Sequence, residues 1–225
     1  MGGTMNENCT DAELGRLSRL FLALGEGLEE YTGTALTLGV PRGARVDDVV
    51  VGRGAVHIAF HLVFEGPGSS RRACVLLPLR DALGLTGRHR KLDDADLDEV
   101  RGRAQPAPED KDSLLALGRY MASLLAEFEN SPNPGQPAVS FVGCQGVRAG
   151  MYPQVPREPG EEWLVGRAAA RLEPFGEFDL VAMVPPAAKA TAERGESCPG
   201  EASESPEAPD QSQTETEGGA NSAAA

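Results

Sequence analysis

Two long segments with helical hydrophobic spacing dominate the sequence and limit the folds it can adopt. In residues 11–30 and again in 109–129, apolar side chains recur every three or four positions, which is typical of a helix with one buried face. Thr10 or Asp11 can cap the first helix, with Glu13 in its first turn, and Gly33 marks its end. The two apolar stripes are Leu14, Leu17, Leu20/Phe21, Leu24 and Leu28, and then Leu114, Leu117, Met121, Leu124/Leu125 and Phe128.

Strand-like segments follow each long helix. Residues 56–64 alternate in polarity with a period of two, a Gly-Pro turn follows, and 73–79 reads as the returning strand. Short helices are predicted at 81–85 and 93–100, and further strands at 138–142, 163–172 and 178–184. The pattern predicts an α+β, two-layer domain with two long helices packed on a mostly antiparallel sheet, and a weak pseudo-two-fold internal duplication.

Composition divides the chain into three parts. From Lys189 onward it contains no aromatic residue and no Leu, Ile or Val, and it carries eight acidic residues against two basic ones. Such a segment cannot bury enough apolar surface to offset the entropy of ordering it. We therefore expect a flexible start at 1–10, one folded domain at 11–186, and a disordered acidic tail at 187–225.

The charge balance bears on the class of partner. The formal net charge is −13, which disfavours binding to nucleic acid or to an anionic membrane surface, because both require clustered cations. With no signal peptide and no apolar run long enough to cross a bilayer, we expect a cytoplasmic location.

Metal and cofactor chemistry has little support in the sequence. The four cysteines are scattered, and Cys74 and Cys144 read as core thiols. His57 and His61 lie on one face of a predicted strand about 13 Å apart, at ~3.3 Å per residue, too far to share an ion. We predict no metal and no cofactor.

Several strings, taken in order, resemble the CheX/CheC/FliY family of chemotaxis phosphatases, which act on response regulators. They are Tyr31-Thr-Gly33, Val75-Leu-Leu-Pro-Leu-Arg-Asp81-Ala-Leu-Gly-Leu-Thr-Gly87, Pro137-Ala-Val-Ser-Phe-Val-Gly143 and Phe175-Gly-Glu-Phe-Asp-Leu180. The resemblance extends over residues 14–185 and implies that 109–129 corresponds to the functional helix of the family.

The resemblance implies that the family carries the sequence Gly-Glu-x-x-Asn on this helix. The Glu and the Asn, three residues apart, lie on the outer face of the helix. The Glu pairs with a lysine of the regulator and the Asn positions the attacking water. If Gly118 is that glycine, the two positions hold Arg119 and Ala122, neither of which can do this chemistry. A second register, Glu127 with Asn130, has the right residue types but falls at the helix end, next to Ser131-Pro132.

These observations predict a non-catalytic CheX-like module that docks the receiver domain of a response regulator or self-associates as a homodimer. The alternative is an active phosphatase that uses Glu127 and Asn130. The expected partner-binding surface is the outer face of 109–129, with Arg119, Ala122, Ser123 and Ala126. The basic run Arg88–Lys91 is either a solvated turn or a contact for an acidic partner.

Overall fold

The structure, a computed structural model, describes residues 9–46, 55–66, 69–129, 138–156 and 162–185. The helices are α1 (Asp11–Thr32), α2 (Leu79–His89), α3 (Asp94–Gly102) and α4 (Pro108–Glu129). The strands are β1 (Leu36–Leu38), β2 (Arg42–Val46), β3 (His57–Gly66), β4 (Ser69–Pro78), β5 (Ala138–Val147), β6 (Trp163–Leu172) and β7 (Gly176–Val184).

Local sequence signals fix both ends of α1. Thr10 and Glu13 form a reciprocal capping box at its start, in which each side chain bonds the other residue's backbone N–H. At its end Gly33 adopts a left-handed conformation with φ 64°, and its N–H donates to Glu29 O at 2.8 Å. Glycine suits this position because it has no Cβ to clash at positive φ.

The described strands form one antiparallel sheet in the order β1-β6-β7-β4-β3-β5, with β2 also pairing with β6. Exchanging the two halves of the chain leaves this order unchanged. The β3–β4 hairpin corresponds to the β6–β7 hairpin, and each half gives its first strand to the other half's hairpin. Apart from β2, the strand order therefore has the predicted pseudo-two-fold symmetry, and the two-layer α+β fold is confirmed.

One edge strand of the sheet is irregular. Along β5, Gly143 pairs with His61 and Phe141 with Leu62, so Val142 between them has no partner on β3. This is a β-bulge, and it leaves the Val142 side chain 57% exposed.

The main core lies between the sheet and the helices. It contains the apolar stripes of α1 and α4 and the sheet side chains that face them. A smaller apolar cluster lies on the opposite face of the sheet and includes Trp163, Leu76 and Met183, with Val155 from the 148–156 loop packed against it. Both faces of the sheet are therefore partly covered.

Two buried charged residues hold the short helices in place. Arg101 of α3 donates to Asp81 of α2 and to the carbonyl of Phe175 at 3.4 Å each, and its guanidinium lies 3.9 Å from the Phe175 ring centroid. Burial lowers the pKa of Arg101 and raises that of Asp81, while their mutual attraction opposes both shifts.

Asp110 is fully buried in the first turn of α4. It accepts hydrogen bonds from Arg103 Nη1 at 2.7 Å, from the Ala107 N–H at 2.9 Å and from Arg90 Nη1 at 3.5 Å. One carboxylate thus ties α4 to the end of α2 and to the segment after α3.

Several predicted boundaries were too short, and two strands were missed. The helix predicted at 81–85 runs from Leu79 to His89, and the strand predicted at 138–142 continues to Val147. Strands β1 and β2 had no prediction. Of the predicted flexible start, only Cys9 and Thr10 lie within the described residues, and the predicted acidic tail from 187 lies outside them.

Candidate functional site

The outer face of α4 is the first candidate site. Its exposed positions, Asp112, Ala116, Arg119, Ser123 and Glu127, follow one another at spacings of three and four. Such spacing places them on a single stripe of the helix. The opposite stripe, with Leu114, Leu117, Met121 and Leu125, is fully buried. Arg119 and Ser123 therefore lie on the outer surface, as expected.

Ala122 does not lie on that surface, and the expectation that it faces outward was wrong. Its side chain is only 4% exposed and belongs to the main core. Gly118, one turn earlier on the same face, packs so closely on β5 that a Cβ there would approach Phe141 Cε2 to 2.3 Å. Small residues at 118 and 122 occupy the side of α4 that contacts the sheet. Ala126 is also half-buried against the core rather than exposed.

The second register is only partly within the described residues. Glu127 is exposed near the end of α4, whereas Asn130 lies outside the described part of the chain. Elsewhere the helices offer no substitute, because no helix of the described residues contains Asn or Gln. A carboxylate followed three residues later by a carboxamide is thus absent from the described helices.

Introducing the residue types that the resembled family carries in the first register is expected to give no activity. In Arg119→Glu/Ala122→Asn, the new carboxamide at 122 would be buried in the core, so the variant should gain no phosphatase activity. It should also lose about 1–2 kcal/mol of unfolding free energy through the buried amide. Chemical denaturation and a receiver dephosphorylation assay would measure both; a gain of phosphatase activity would mean that residue 122 reaches the surface.

Beside the outer face of α4 lies an open depression of about 730 Å³, which we term the three-helix groove. It is formed by the last turn of α1, the end of α2 with the residues that follow it, and the middle of α4. Its lining residues are Glu30, Tyr31, Thr32, Gly33, Arg88, His89, Lys91, Ala116, Arg119, Tyr120 and Ser123.

Three aromatic rings, one from each helix, form the wall of this groove. Tyr31 stacks on His89 with centroids 3.9 Å apart and planes 7° from parallel, and Tyr120 lies 5.0 Å from Tyr31. His89 Nδ1 lies 2.9 Å from the carbonyl oxygen of Tyr31; because a carbonyl only accepts, Nδ1 carries the proton. Tyr120 Oη donates to the carbonyl of Gly27 at 3.0 Å, which joins α4 to α1.

The Tyr31 hydroxyl has no hydrogen-bond partner among the described residues, although Tyr31 is only 9% exposed. Burial, with a smaller contribution from Tyr120, raises the pKa of Tyr31 to about 12. Burial also raises the pKa of Tyr120, and Glu30 raises it further. Both phenols therefore stay protonated at neutral pH and act as donors.

The charge of the groove contrasts with that of the chain. Arg88 is paired with Asp94 at 3.2 Å, whereas Arg119 and Lys91 have no ion-pair partner within the described ranges. Glu30 is the acidic side chain of the lining. The groove is thus locally cationic on a chain of net charge −13.

Sequence reasoning identified the basic run 88–91 but not the groove. His89 is a structural partner of α1 through Tyr31, and Arg90 bonds Asp110, so neither is a simply solvated turn residue. Tyr31 and Tyr120 were not singled out as a pair, because they lie 89 positions apart and only the packing of α1 on α4 brings them together.

A second cavity of about 680 Å³ lies between β5, the start of α4 and the segment that precedes it. Its lining is largely apolar and includes Ile58, Leu114, Leu115 and Cys144, with Lys111 and Arg148 as the cations. Burial raises the pKa of Cys144, so this thiol is not activated as a nucleophile.

The described residues contain no group of three metal-ligating side chains. His57 and His61 both lie on β3, and burial lowers the pKa of each. No helix of the described residues is long and apolar enough to span a bilayer.

No protein-family model matches the sequence, and no curated protein matches it. Solved structures do resemble the fold. FliM in the FliM–SpeE complex from H. pylori is 10% identical, with 79% of this chain and 90% of that chain covered and a TM-score of 0.52. FliM in the FliG–FliM complex from H. pylori is 9% identical, with 79% and 94% covered and a TM-score of 0.51. FliY from Thermotoga maritima is 12% identical, with 80% and 92% covered and a TM-score of 0.49.

At such identities the FliM likenesses show the fold alone. The fold class of these structures is the one that the resemblance in the sequence predicted.

Proposed function

We propose that this chain is a non-catalytic protein-docking module that binds the receiver domain of a response regulator through the outer face of α4. The observation that carries the proposal is the composition of that face. Arg119 stands where hydrolysis in the resembled family would need a carboxylate, and Ala122, three residues later where a carboxamide would be needed, is buried in the core.

The charge of the neighbouring groove supports an acidic partner. Arg119, which belongs to the exposed stripe of α4, and Lys91, which lines the groove with it, are cations without an ion pair among the described residues. The phosphoacceptor face of a receiver domain is acidic, so the two surfaces are complementary in charge. Complementary charge raises the association rate and suppresses wrong partners.

The fold is compatible with such a role. Two of the structures that resemble this chain are complexes of FliM with another protein, FliG in one and SpeE in the other. Docking a partner requires only an accessible surface, and the described part of α4 offers one without any residue pair for phosphate hydrolysis.

The test uses a panel of phosphorylated receiver domains and measures two quantities, the affinity for the full chain and the rate of phosphate loss. We expect binding to at least one receiver without faster phosphate loss. Arg119→Glu should weaken that binding about tenfold, because reversing a charge at the rim costs roughly 1.4 kcal/mol. Lys111→Glu, on the same helix but outside the proposed surface, is the matched control and should bind normally.

Two results would contradict the proposal in different ways. Accelerated phosphate loss that Asn130→Ala abolishes would make the chain an active phosphatase. Absence of binding to every receiver, together with a concentration-dependent dimer in sedimentation, would favour the self-association alternative.

A further inference from the structure

We propose that the three-helix groove is a binding site for a phosphate group. This inference goes beyond receiver docking, because it concerns a ligand of the isolated chain and is tested without a receiver. It rests on the donors that line the groove, on the buried Tyr31 hydroxyl and on the state of the helix ends around it.

Two cationic side chains contribute to the groove. Lys91, from the segment after α2, and Arg119, from α4, both line the groove. Neither has an ion-pair partner in the part of the chain that the structure describes, so neither must break a salt bridge to bind an anion. Hydrogen bonds from charged donors to phosphate oxygens are about twice as strong as neutral ones.

The Tyr31 hydroxyl supports the proposal independently of the charges in the groove. A buried donor without a partner costs free energy that a bound acceptor would recover. Tyr31 lines the groove, is nine-tenths buried, and its hydroxyl has no partner among the described residues. A ligand oxygen that reaches this hydroxyl from the groove would satisfy it.

The helix ends around the groove repel an anion less strongly than helix ends with unpaired carbonyls would. The C-terminal carbonyls of a helix carry partial negative charge when they are unpaired. In α1 three of them are bonded: Leu28 O accepts from the Thr32 hydroxyl at 2.9 Å, Glu29 O from the Gly33 N–H, and Tyr31 O from His89.

Glu30 carries a negative charge that opposes anion binding in the groove, and this provides a further test. Its carboxylate lines the same groove and lies 3.5 Å from the Tyr120 hydroxyl. An anion bound beside Lys91 and Arg119 would be repelled by Glu30, so neutralising Glu30 should strengthen binding. A groove that binds through apolar contact alone would not respond in this direction.

The experiment follows amide chemical shifts of the full chain while inorganic phosphate is added at constant ionic strength, with sodium chloride as the reference salt. We expect saturable shifts confined to residues 30–33, 88–91 and 116–123. Tyr31→Phe should weaken binding about tenfold, since it removes one hydrogen bond to a charged group and little else. Arg119→Gln and Lys91→Gln should each weaken it by a similar factor.

A variant that is expected to bind phosphate more tightly distinguishes a specific effect from a loss of binding through misfolding. Glu30→Gln should bind phosphate two- to fivefold more tightly, on the order of a partly exposed charge interaction. Lys111→Gln, in the second cavity, should bind as the unchanged chain does. Shifts that grow linearly without saturation, or that persist unchanged in Tyr31→Phe and Arg119→Gln, would overturn the proposal.

The source of the phosphate group is read from two further ligands. Adenosine monophosphate represents a small molecule, and a phosphoserine peptide represents a modified protein side chain. Tighter binding of either one than of inorganic phosphate, in the same residues, supports the site and identifies the source. Equal binding of adenosine and of the unphosphorylated peptide would show that phosphate is not what the groove recognises.

Discussion

Asp110→Ala is expected to lower the free energy of unfolding by about 3 kcal/mol, because it removes a fully buried carboxylate from between two arginines and a backbone N–H. Loss of the bond to the Ala107 N–H also weakens the start of α4. For a domain of this size, that free energy corresponds to a fall in melting temperature of roughly 6–12 °C. Urea denaturation of the full chain measures the change directly.

Two companion variants test the explanation. Asp110→Asn keeps an oxygen acceptor but loses the charge, so it should lie between the unchanged chain and Asp110→Ala. Asp112→Ala removes an exposed carboxylate two positions away and should change stability by less than about 0.5 kcal/mol. A loss below about 1 kcal/mol in Asp110→Ala would show that the buried carboxylate does not fix α4 to its neighbours.

Gly166→Val is expected to be similarly destabilising, by about 3 kcal/mol, for a different reason. A Cβ at this position of β6 would lie 2.4 Å from Phe21 Cε2 and 2.9 Å from Leu17 Cδ2. Both side chains belong to α1 and are only 1% exposed, so neither can turn outward. Gly43, which pairs with Gly166 across β2 and β6, meets Leu17 in the same way, so two glycines let α1 approach the sheet closely.

A double-mutant cycle isolates this contact. Gly166→Ala and Phe21→Leu should each destabilise the chain, whereas the pair should lose about 1 kcal/mol less than their sum, since the shorter side chain makes room for the methyl group. Gly146→Ala is the matched control, because it is also a strand glycine but has no neighbouring atom within 4 Å of an added Cβ. Strict additivity of the two changes would place the strain elsewhere.

The helices and hairpins followed directly from local pattern. The apolar stripes of α1 and α4 are the buried faces, the Thr10–Glu13 capping box begins α1, and Gly33 ends it. The predicted hairpin at 56–79 is the β3–β4 pair. In each case the signal depends on residues within a few positions of one another, which a sequence displays without any tertiary information.

Strands β1 and β2 were missed because their stability comes from distant residues. The segment 36–46 is short, is interrupted by Gly39 and Pro41, and lacks alternation. Both strands pair with β6, more than 115 positions later in the chain. No local signal at 36–46 reports a partner at that distance.

Ala122 illustrates a second limit. The period of the large apolar residues on α4 was read correctly, but the buried arc is wider than that stripe because α4 contacts α1, α2 and β5. Gly118 and Ala122 widen it on the β5 side. A small residue on an amphipathic helix is equally compatible with solvent and with close packing, so the sequence could not distinguish the two.

The bulge at Val142 has a consequence for how copies of this chain can meet. A foreign strand that adds to the open side of β5 would have to match evenly spaced amide and carbonyl groups, and the extra residue shifts that spacing by one position midway along. Hydrogen bonding between β5 and the added strand would stop at the bulge, after about half of β5. Growth of a continuous sheet from one copy to the next through this edge is thereby discouraged.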